Sequence, residues 1–262
     1  MSNSNYTIES LARGLSVLTL FSRERPALTF SQIVAASGLN KSTVFRIVST
    51  LTTHGFLQFE PDTRWYRPGL NVLHLGFTAL SSLELRQVAR PYLERLSSQV
   101  GYTVSLGVLD SMDVIYIDRV RNREPIGVVL GLGSRIPAHC ASLGKAMLAF
   151  LSADELERRL AAAGLSPCTT NSLPSRAALL EDLARVRLRG YSVNDQEWVL
   201  GLRSTAAPVL GDDGIAAAAV NIAVSASELT RTELEEKLSP VVRDTAQEIS
   251  RAIGYAPSAS PI

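Results

Sequence analysis

Cysteine and histidine are scarce in this chain of 262 residues. It has two cysteines, Cys140 and Cys168, and three histidines, His54, His74 and His139. No CxxC pair and no His/Cys cluster with ligand spacing occurs, which argues against a structural zinc site. The histidines also give no ready hydrolytic triad. His54 closes a helical pattern and His74 lies in a connecting segment. Cys140 beside His139 is the one nucleophile–base pairing, but neighbours in an extended segment point to opposite sides. The stretch GLGSRI at 131–136 lacks the third glycine and the following helix of a dinucleotide loop. No apolar run reaches the roughly 18 residues of a membrane span. The opening MSNSNYTIES lacks the charged, apolar and small-residue regions of a secretory signal. These absences predict a soluble, cytoplasmic protein in a reducing compartment, without metal or cofactor and not an enzyme.

An excess of one charge is lacking too. The net charge is +1, which excludes a globally basic nucleic-acid protein. The distribution says more: residues 1–68 hold seven Lys/Arg against four Asp/Glu, the remainder nineteen against twenty-one. The positive field therefore lies around the opening stretch. The length fits one or two domains. A hydrophobic content of 46% supplies real cores.

What is present begins with helical periodicity. Leu11, Leu15, Leu18 and Phe21 are spaced for one helix, which Pro26 ends. Thr29 and Gln32 form a capping-box pattern for a second helix with Ile33, Val34 and Ala36 inward, stopped by Gly38. Asn40 caps a third, in which Val44, Ile47, Val48 and Leu51 make one apolar stripe up to about His54. FLQFEPDTRWYRPG then reads as a hairpin. Helix, helix, tight turn, helix, hairpin is the order of a winged helix-turn-helix over residues 1–70. In that motif the second helix enters the major groove. Lys41, Ser42, Thr43, Arg46, Ser49 and Thr50 fit its outward face, joined by Ser31, Phe45 and the hairpin-tip Arg64. Arg46 is the candidate for reading a guanine edge, and Lys41, Ser42 and Thr43 for holding phosphates. The alternative is a small helical core with a solvated polar face, or a module that docks protein.

Residues 71–88 read as a linker helix, with Leu73, Leu80, Leu83 and Leu85 among the apolar positions of 71–100. Beyond it the texture changes over 89–254. TVSLGVLD and DVIYIDRV are strands joined by a turn, and IGVVLGLG is a third. Helices follow in SLGKAMLAFL, ADELERRLAAAG and RAALLEDLARVRLRG. RSTAAPVL and IAAAAVNIAV form a hairpin, and 230–254 closes as one long helix. Strands interspersed with helices predict an α+β domain. The tail 255–262 reads as disordered. Asp154-Glu155 and Glu233-Glu235-Glu236 are solvated helix-face charges. In SRIPAHCASLGKAMLAFL a loop of small residues runs into a helix near Ser142. A helix start favours an anion. Arg135 pairs with a carboxylate in this reading and His139 adds a donor, so the segment suggests a small organic acid. A packed strand-to-helix turn with Arg135 on the surface is the alternative.

LARGLSVLTLFSRERPALTFSQIVAASGLNKSTVFRIVSTLTTHGFL resembles the N-terminal domain of the IclR family of bacterial transcription factors. The similarity continues in order through SRIPAHCASLGKAMLAFL, GYSVNDQEWVLGLRSTAAPV and AAAVNIAVSASELT, covering about residues 8–254. The resemblance implies a winged helix-turn-helix, a linker helix and a GAF-like α/β effector-binding domain, acting as homodimers or dimers of dimers on operator DNA. It also implies effector contacts at Ala141, Ser142 and Leu143, at Asn194 and Asp195, and at Ser204, Asn221 and Ala223. YIDRVR and VNDQEWVLGLRSTAAPV look most like the branch controlling aromatic-acid catabolism, with 4-hydroxybenzoate or protocatechuate as effector class. Leu143 and Ala223 are more apolar than a tiny polar acid wants, which favours a ring-bearing ligand with Tyr116, Met112, Leu130 and Trp198 as candidate wall. A non-aromatic small acid is the alternative.

Overall fold

The structure is a computed structural model; it describes residues 7–22, 25–81, 84–123 and 130–256, and of 77–81 the backbone only. The chain divides into two units, Met1–Ser82 and Leu83–Ile262. Leu80 and Leu83, the first half of the anticipated strand IGVVLGLG (126–129) and the tail from 257 onward lie outside the described side chains or residues, and the second half of that segment, 130–133, forms a turn rather than a strand.

The first unit runs α1 (Glu9–Leu18), β1 (Leu28–Thr29), α2 (Phe30–Ser37), α3 (Lys41–Thr53), β2 (Leu57–Glu60), β3 (Trp65–Pro68) and α4 (Leu70–Ser81). Local chemistry sets its corners. The Thr29 hydroxyl accepts from the Gln32 N–H, while the Gln32 side chain accepts from the Thr29 N–H at 2.8 Å, closing the capping box. Gly38 takes φ +67°, the left-handed cap that ends α2. Asn40 Oδ1 then accepts from the Thr43 N–H at 2.9 Å and starts α3. Val17, Leu28, Ile33, Val44, Val48 and Leu57 form the core. The sheet has three strands rather than the two of a hairpin, because Leu28 and Thr29 pair with Tyr66 and Trp65. Leu11 and Leu15 lie on the expected helix and are 58% and 55% exposed. Only Val17, Leu18 and the residues just after them pack on this core. Ala36 is likewise exposed.

The second unit runs α5 (Glu84–Val100), β4 (Thr103–Asp110), β5 (Asp113–Val120), β6 (Arg135–Pro137), a 3-10 turn (Ala138–Cys140), α6 (Ser142–Leu148), α7 (Ala153–Ala162) and α8 (Arg176–Arg189). It continues through β7 (Ser192–Asp195), β8 (Leu202–Leu210), β9 (Ala216–Ser225), α9 (Arg231–Lys237) and α10 (Ser239–Ala252). Its six strands form one antiparallel sheet in the order β6-β5-β4-β9-β8-β7. Helices α5 and α10 pack on one face, and α6, backed by α8, on the other. The closing segment is two helices rather than one. Leu238 ends α9 and Pro240 sits in the first turn of α10, where its missing N–H costs nothing.

A bulge decides which side chains reach which face. Leu106 pairs with Asp118 and Gly107 with Tyr116, so Ile117 has no partner across the ladder. Asp118 therefore faces α5, where it meets Arg90 at 2.8 Å and Arg86 at 3.4 Å. Tyr116 and Arg119 share the opposite face.

Helix α6 is buried along its whole length. A Cβ on Gly144 would lie 2.1 Å from the Ala138 carbonyl oxygen, so only glycine lets the helix sit on the turn before it. Lys145, 1% exposed, reaches Glu197 at 2.7 and 2.8 Å and Asp182 at 3.0 Å. Burial pushes the Glu197 carboxyl up, with Lys145 pulling it back. Burial also works against Asp182, but there Lys145, helped by Arg189 and Arg185, wins and holds the carboxyl below its usual range. Lys145→Ala leaves two acids buried without their cation. It is expected to cost about 3–5 kcal/mol in urea unfolding of the full chain; a midpoint within error of wild type would refute the anchoring role.

Candidate functional site

Two surfaces carry chemistry, one in each unit. In the first, Lys41, Ser42, Phe45, Arg46, Ser49 and Thr50 are exposed on α3, and Thr43 is half-buried. Ser31 at the start of α2 and Arg64 are exposed too. Some of these side chains are already engaged. The Ser42 hydroxyl donates to Asn40 Oδ1 at 2.8 Å, and the Thr50 hydroxyl to the Arg46 carbonyl at 2.9 Å. Phe45 packs its ring edge-on against Phe30, with centroids 6.5 Å apart. Arg64 takes φ +58° in the β2–β3 turn, and its N–H donates to the Glu60 carbonyl at 2.8 Å. Lys41, Arg46 and Arg64 thus supply cationic side chains on the helix and the wing. That is the chemistry of phosphate and guanine recognition.

In the second unit, the sheet face opposite α5 and α10 opens into a narrow cavity under the start of α6. It is lined by Ser105, Tyr116, Arg119, Leu130, Ile136, Ala141, Ser142, Leu143, Asn194, Trp198, Leu202, Ser204, Asn221 and Ala223. Its free space is small, about 20 Å³ for water-sized occupants. Seven of the anticipated effector residues meet here: Ala141, Ser142, Leu143, Asn194, Ser204, Asn221 and Ala223. The anticipated wall residues Tyr116, Leu130 and Trp198 join them, and Met112 does not.

The sheet register explains the convergence. Asn194 pairs with Ser204, Ser204 with Ala223, and Ser105 with both Asn221 and Arg119, so one face carries them all. The Ser142 and Ser204 hydroxyls bond at 2.7 Å, tying α6 to β8. Asn194 Oδ1 accepts from the Glu197 N–H at 2.8 Å, which shapes the loop bearing Trp198. Asn221 is 4% exposed, and its Oδ1 is buried without a hydrogen-bond partner. Burial pushes the Tyr116 phenol far above its ordinary range, with Arg119 pulling the other way. Tyr116 therefore stays a neutral donor. The wall is apolar, and one cationic side chain, Arg119, lies in it.

Three anticipated residues lie outside the lining: Asp195, which accepts from Arg203 at 2.6 Å, Arg135 and His139. Arg135 is paired with Asp110 at 2.6 Å and Asp113 at 3.3 Å, and its side chain is half-exposed at the β4–β5 turn. These acids compete with any ligand carboxylate. His139 points its Nε2 to the Ser166 carbonyl at 2.9 Å, away from the cavity lining. The sequence reading missed Arg119. Its signal was there in YIDRVR, but simple alternation puts Arg119 on the side opposite Tyr116, and the bulge reverses this.

Comparison with known proteins follows the same division. Residues 10–61 match the profile described as the IclR helix-turn-helix domain, and residues 77–251 that of the bacterial transcriptional regulator IclR C-terminal domain. The chain is 31% identical over 248 residues to the HTH-type transcriptional regulator XynR of Escherichia coli, covering 95% of this chain and 98% of that one. It is 34% identical over 241 residues to the Pca regulon regulatory protein of Pseudomonas putida, covering 92% and 82%. Among solved structures it resembles an IclR homologue from Microbacterium hydrocarbonoxydans complexed with 4-hydroxybenzoate. That match has a TM-score of 0.79 and 25% identity, and covers 94% and 99% of the two chains. These matches are to regulators rather than enzymes, and no described helix is long and apolar enough to cross a membrane.

An orphaned buried acceptor is a cost to the fold. Asn221→Ala is therefore expected to leave thermal stability unchanged or raise it by about 1 kcal/mol. A loss of more than about 2 kcal/mol in calorimetric unfolding would mean that Asn221 serves the fold rather than the cavity.

Proposed function

The chain belongs to the IclR family of DNA-binding transcriptional regulators, and we propose that it controls a catabolic operon in response to a small aromatic carboxylic acid held in the second unit. The observation that carries this reading is the cavity's composition. Arg119 matches a carboxylate, the unpartnered Asn221 oxygen matches a hydroxyl donor, and Leu130, Leu143, Trp198 and Leu202 match a ring. The 4-hydroxybenzoate complex of the Microbacterium homologue and the name of the Pca regulon regulator support the same ligand class. In this reading Arg119, not Arg135, holds the carboxylate, and Ser142, Ser204 and Asn194 supply short polar contacts. One specific observation favours a second reading, a non-aromatic small acid: the cavity in this form is tight for a ring. An aromatic acid would have to widen it.

DNA reading is assigned to α3 and the wing: Arg46 to a base edge, Lys41, Thr43 and Arg64 to phosphates, with Ser31, Ser42, Phe45, Ser49 and Thr50 around them. Paired subunits would place two such units on half-sites of fixed spacing. A ligand that binds one arrangement of the pair more tightly shifts operator affinity.

Calorimetric titration of the full chain with 4-hydroxybenzoate, protocatechuate and non-aromatic dicarboxylates separates the two readings. The expected result is saturable binding of an aromatic acid, abolished in Arg119→Met and retained in Arg135→Ala. Binding lost in Arg135→Ala but kept in Arg119→Met would overturn the carboxylate assignment. On operator DNA, Arg46→Ala is expected to cost about 1–3 kcal/mol and relax preference at one base pair, whereas Lys41→Ala should weaken all sequences alike. Competition binding with single-base operator variants checks this, and unchanged specificity in Arg46→Ala would remove it from base reading.

A further inference from the structure

His139 and Cys140 are separated from Cys168 by the whole of α6 and α7, yet the fold closes that distance. One ring nitrogen of His139 and the Sγ atoms of Cys140 and Cys168 all lie within 4.8 Å of one another. Among the described residues this is the one such set that draws on both cysteines of the chain. It does not belong to the cavity lining, although Cys140 directly precedes Ala141, which does.

Three further observations fit a cation. The first is the histidine. Its Nε2 lies 2.9 Å from the Ser166 carbonyl, so the ring N–H points there and Nδ1 keeps its lone pair. A ring nitrogen held by a backbone carbonyl is the outer support that metal-binding histidines use. The second is the loop. Ser172 Oγ accepts from the Cys168 and Thr169 N–H groups, each at 2.9 Å, and donates to the Glu197 carbonyl at 2.7 Å. Cys168 is therefore held in place by the same loop that presents Lys145 with its partner. The third is access. Cys140 is buried and Cys168 exposed, so the cluster reaches solvent at Cys168.

We propose that His139 Nδ1, Cys140 Sγ and Cys168 Sγ bind a thiophilic divalent cation of the Zn²⁺ type, with a fourth position open to solvent. Two soft sulfurs and an imidazole select such an ion over Mg²⁺ or Ca²⁺. Structural zinc sites are closed by four protein ligands, so three ligands leave a position for water. A disulfide between the two cysteines is the rival. It uses both sulfurs but gives no role to the oriented histidine. Binding would clamp the Cys168 loop to the turn that leads into α6, next to the effector cavity and independent of what that cavity holds.

The experiment uses the full chain, reduced, stripped of metal and with both thiols counted. Co²⁺ is titrated in as a spectroscopic probe and then displaced by Zn²⁺. The expected result is one equivalent of Co²⁺ per chain, with tetrahedral d–d bands and thiolate-to-cobalt charge transfer, both lost on adding Zn²⁺. Cys168→Ser, at an exposed position, should diminish the charge transfer and weaken Zn²⁺ binding by more than about tenfold, and His139→Gln should weaken it as well. Circular dichroism confirms that the variants fold. The proposal is overturned if the reduced chain takes up no Co²⁺, if the complex lacks charge transfer, or if Cys168→Ser binds Zn²⁺ as tightly as wild type.

Discussion

Lys145 has no path to water, and much of the sensor unit is arranged around that fact. A buried ammonium costs several kcal/mol unless its charge and donors are met. Glu197 from the loop after β7 and Asp182 from α8 meet them. Three separate pieces of chain are thereby fixed to one atom. The ion cluster need not add net stability, since a hydrophobic replacement of equal shape often does as well. What it adds is position. With Glu197 held, its N–H reaches Asn194 Oδ1 and its carbonyl reaches Ser172 Oγ and Thr169 Oγ1. With α6 held, Ser142 reaches Ser204. The polar groups of the cavity are therefore positioned in part by the Lys145 cluster, which lies outside its lining.

The first unit was legible because its information is local. Thr29, Gln32, Gly38 and Asn40 act within one turn of their own helix ends, and the structure uses each as a capping or stopping residue. Strands β4 and β5 match the expected TVSLGVLD and DVIYIDRV. The failures share a different cause. Ala36 has the helical spacing of an inward residue, but periodicity does not say whether a partner surface lies opposite, and here it is exposed. The break at Leu238 follows from Pro240, a local signal that a strong amphipathic pattern on both sides overrode.

The cavity was half legible. Its small and polar lining came through resemblance, and the register of β4, β7, β8 and β9 brings those residues to one face. Its charge did not. Arg135 stands beside the expected loop, whereas Arg119 is distant in sequence and on the wrong parity of its strand. The one-residue bulge at Ile117 swaps the faces, sending Asp118 to α5 and Arg119 to the cavity. A period-two reading carries no sign of such an insertion, because the residue that marks it is an ordinary isoleucine. The His139–Cys140–Cys168 cluster escaped for a related reason. Ligand spacing is a sequence rule for short hairpins and helices, and these residues meet only after the chain has gone through two helices and back.

The tightness of the cavity bears on how a signal leaves it. A preformed pocket that admits its ligand without change has little to transmit. Here the lining groups belong to packed elements: Ser142 to α6, Trp198 to the Glu197 loop, Arg119 to the strand that also carries Asp118. Any ligand larger than a water would have to displace some of them. Asp118 is gripped by Arg86 and Arg90 on α5, the helix that opens the second unit. A shift of β5 at Arg119 would thus be felt by α5 one residue away through the opposite face of the same strand. The bulge thus puts adjacent residues on the two faces of β5, Arg119 toward the cavity and Asp118 toward α5, and this adjacency gives a direct physical connection between the cavity wall and that helix.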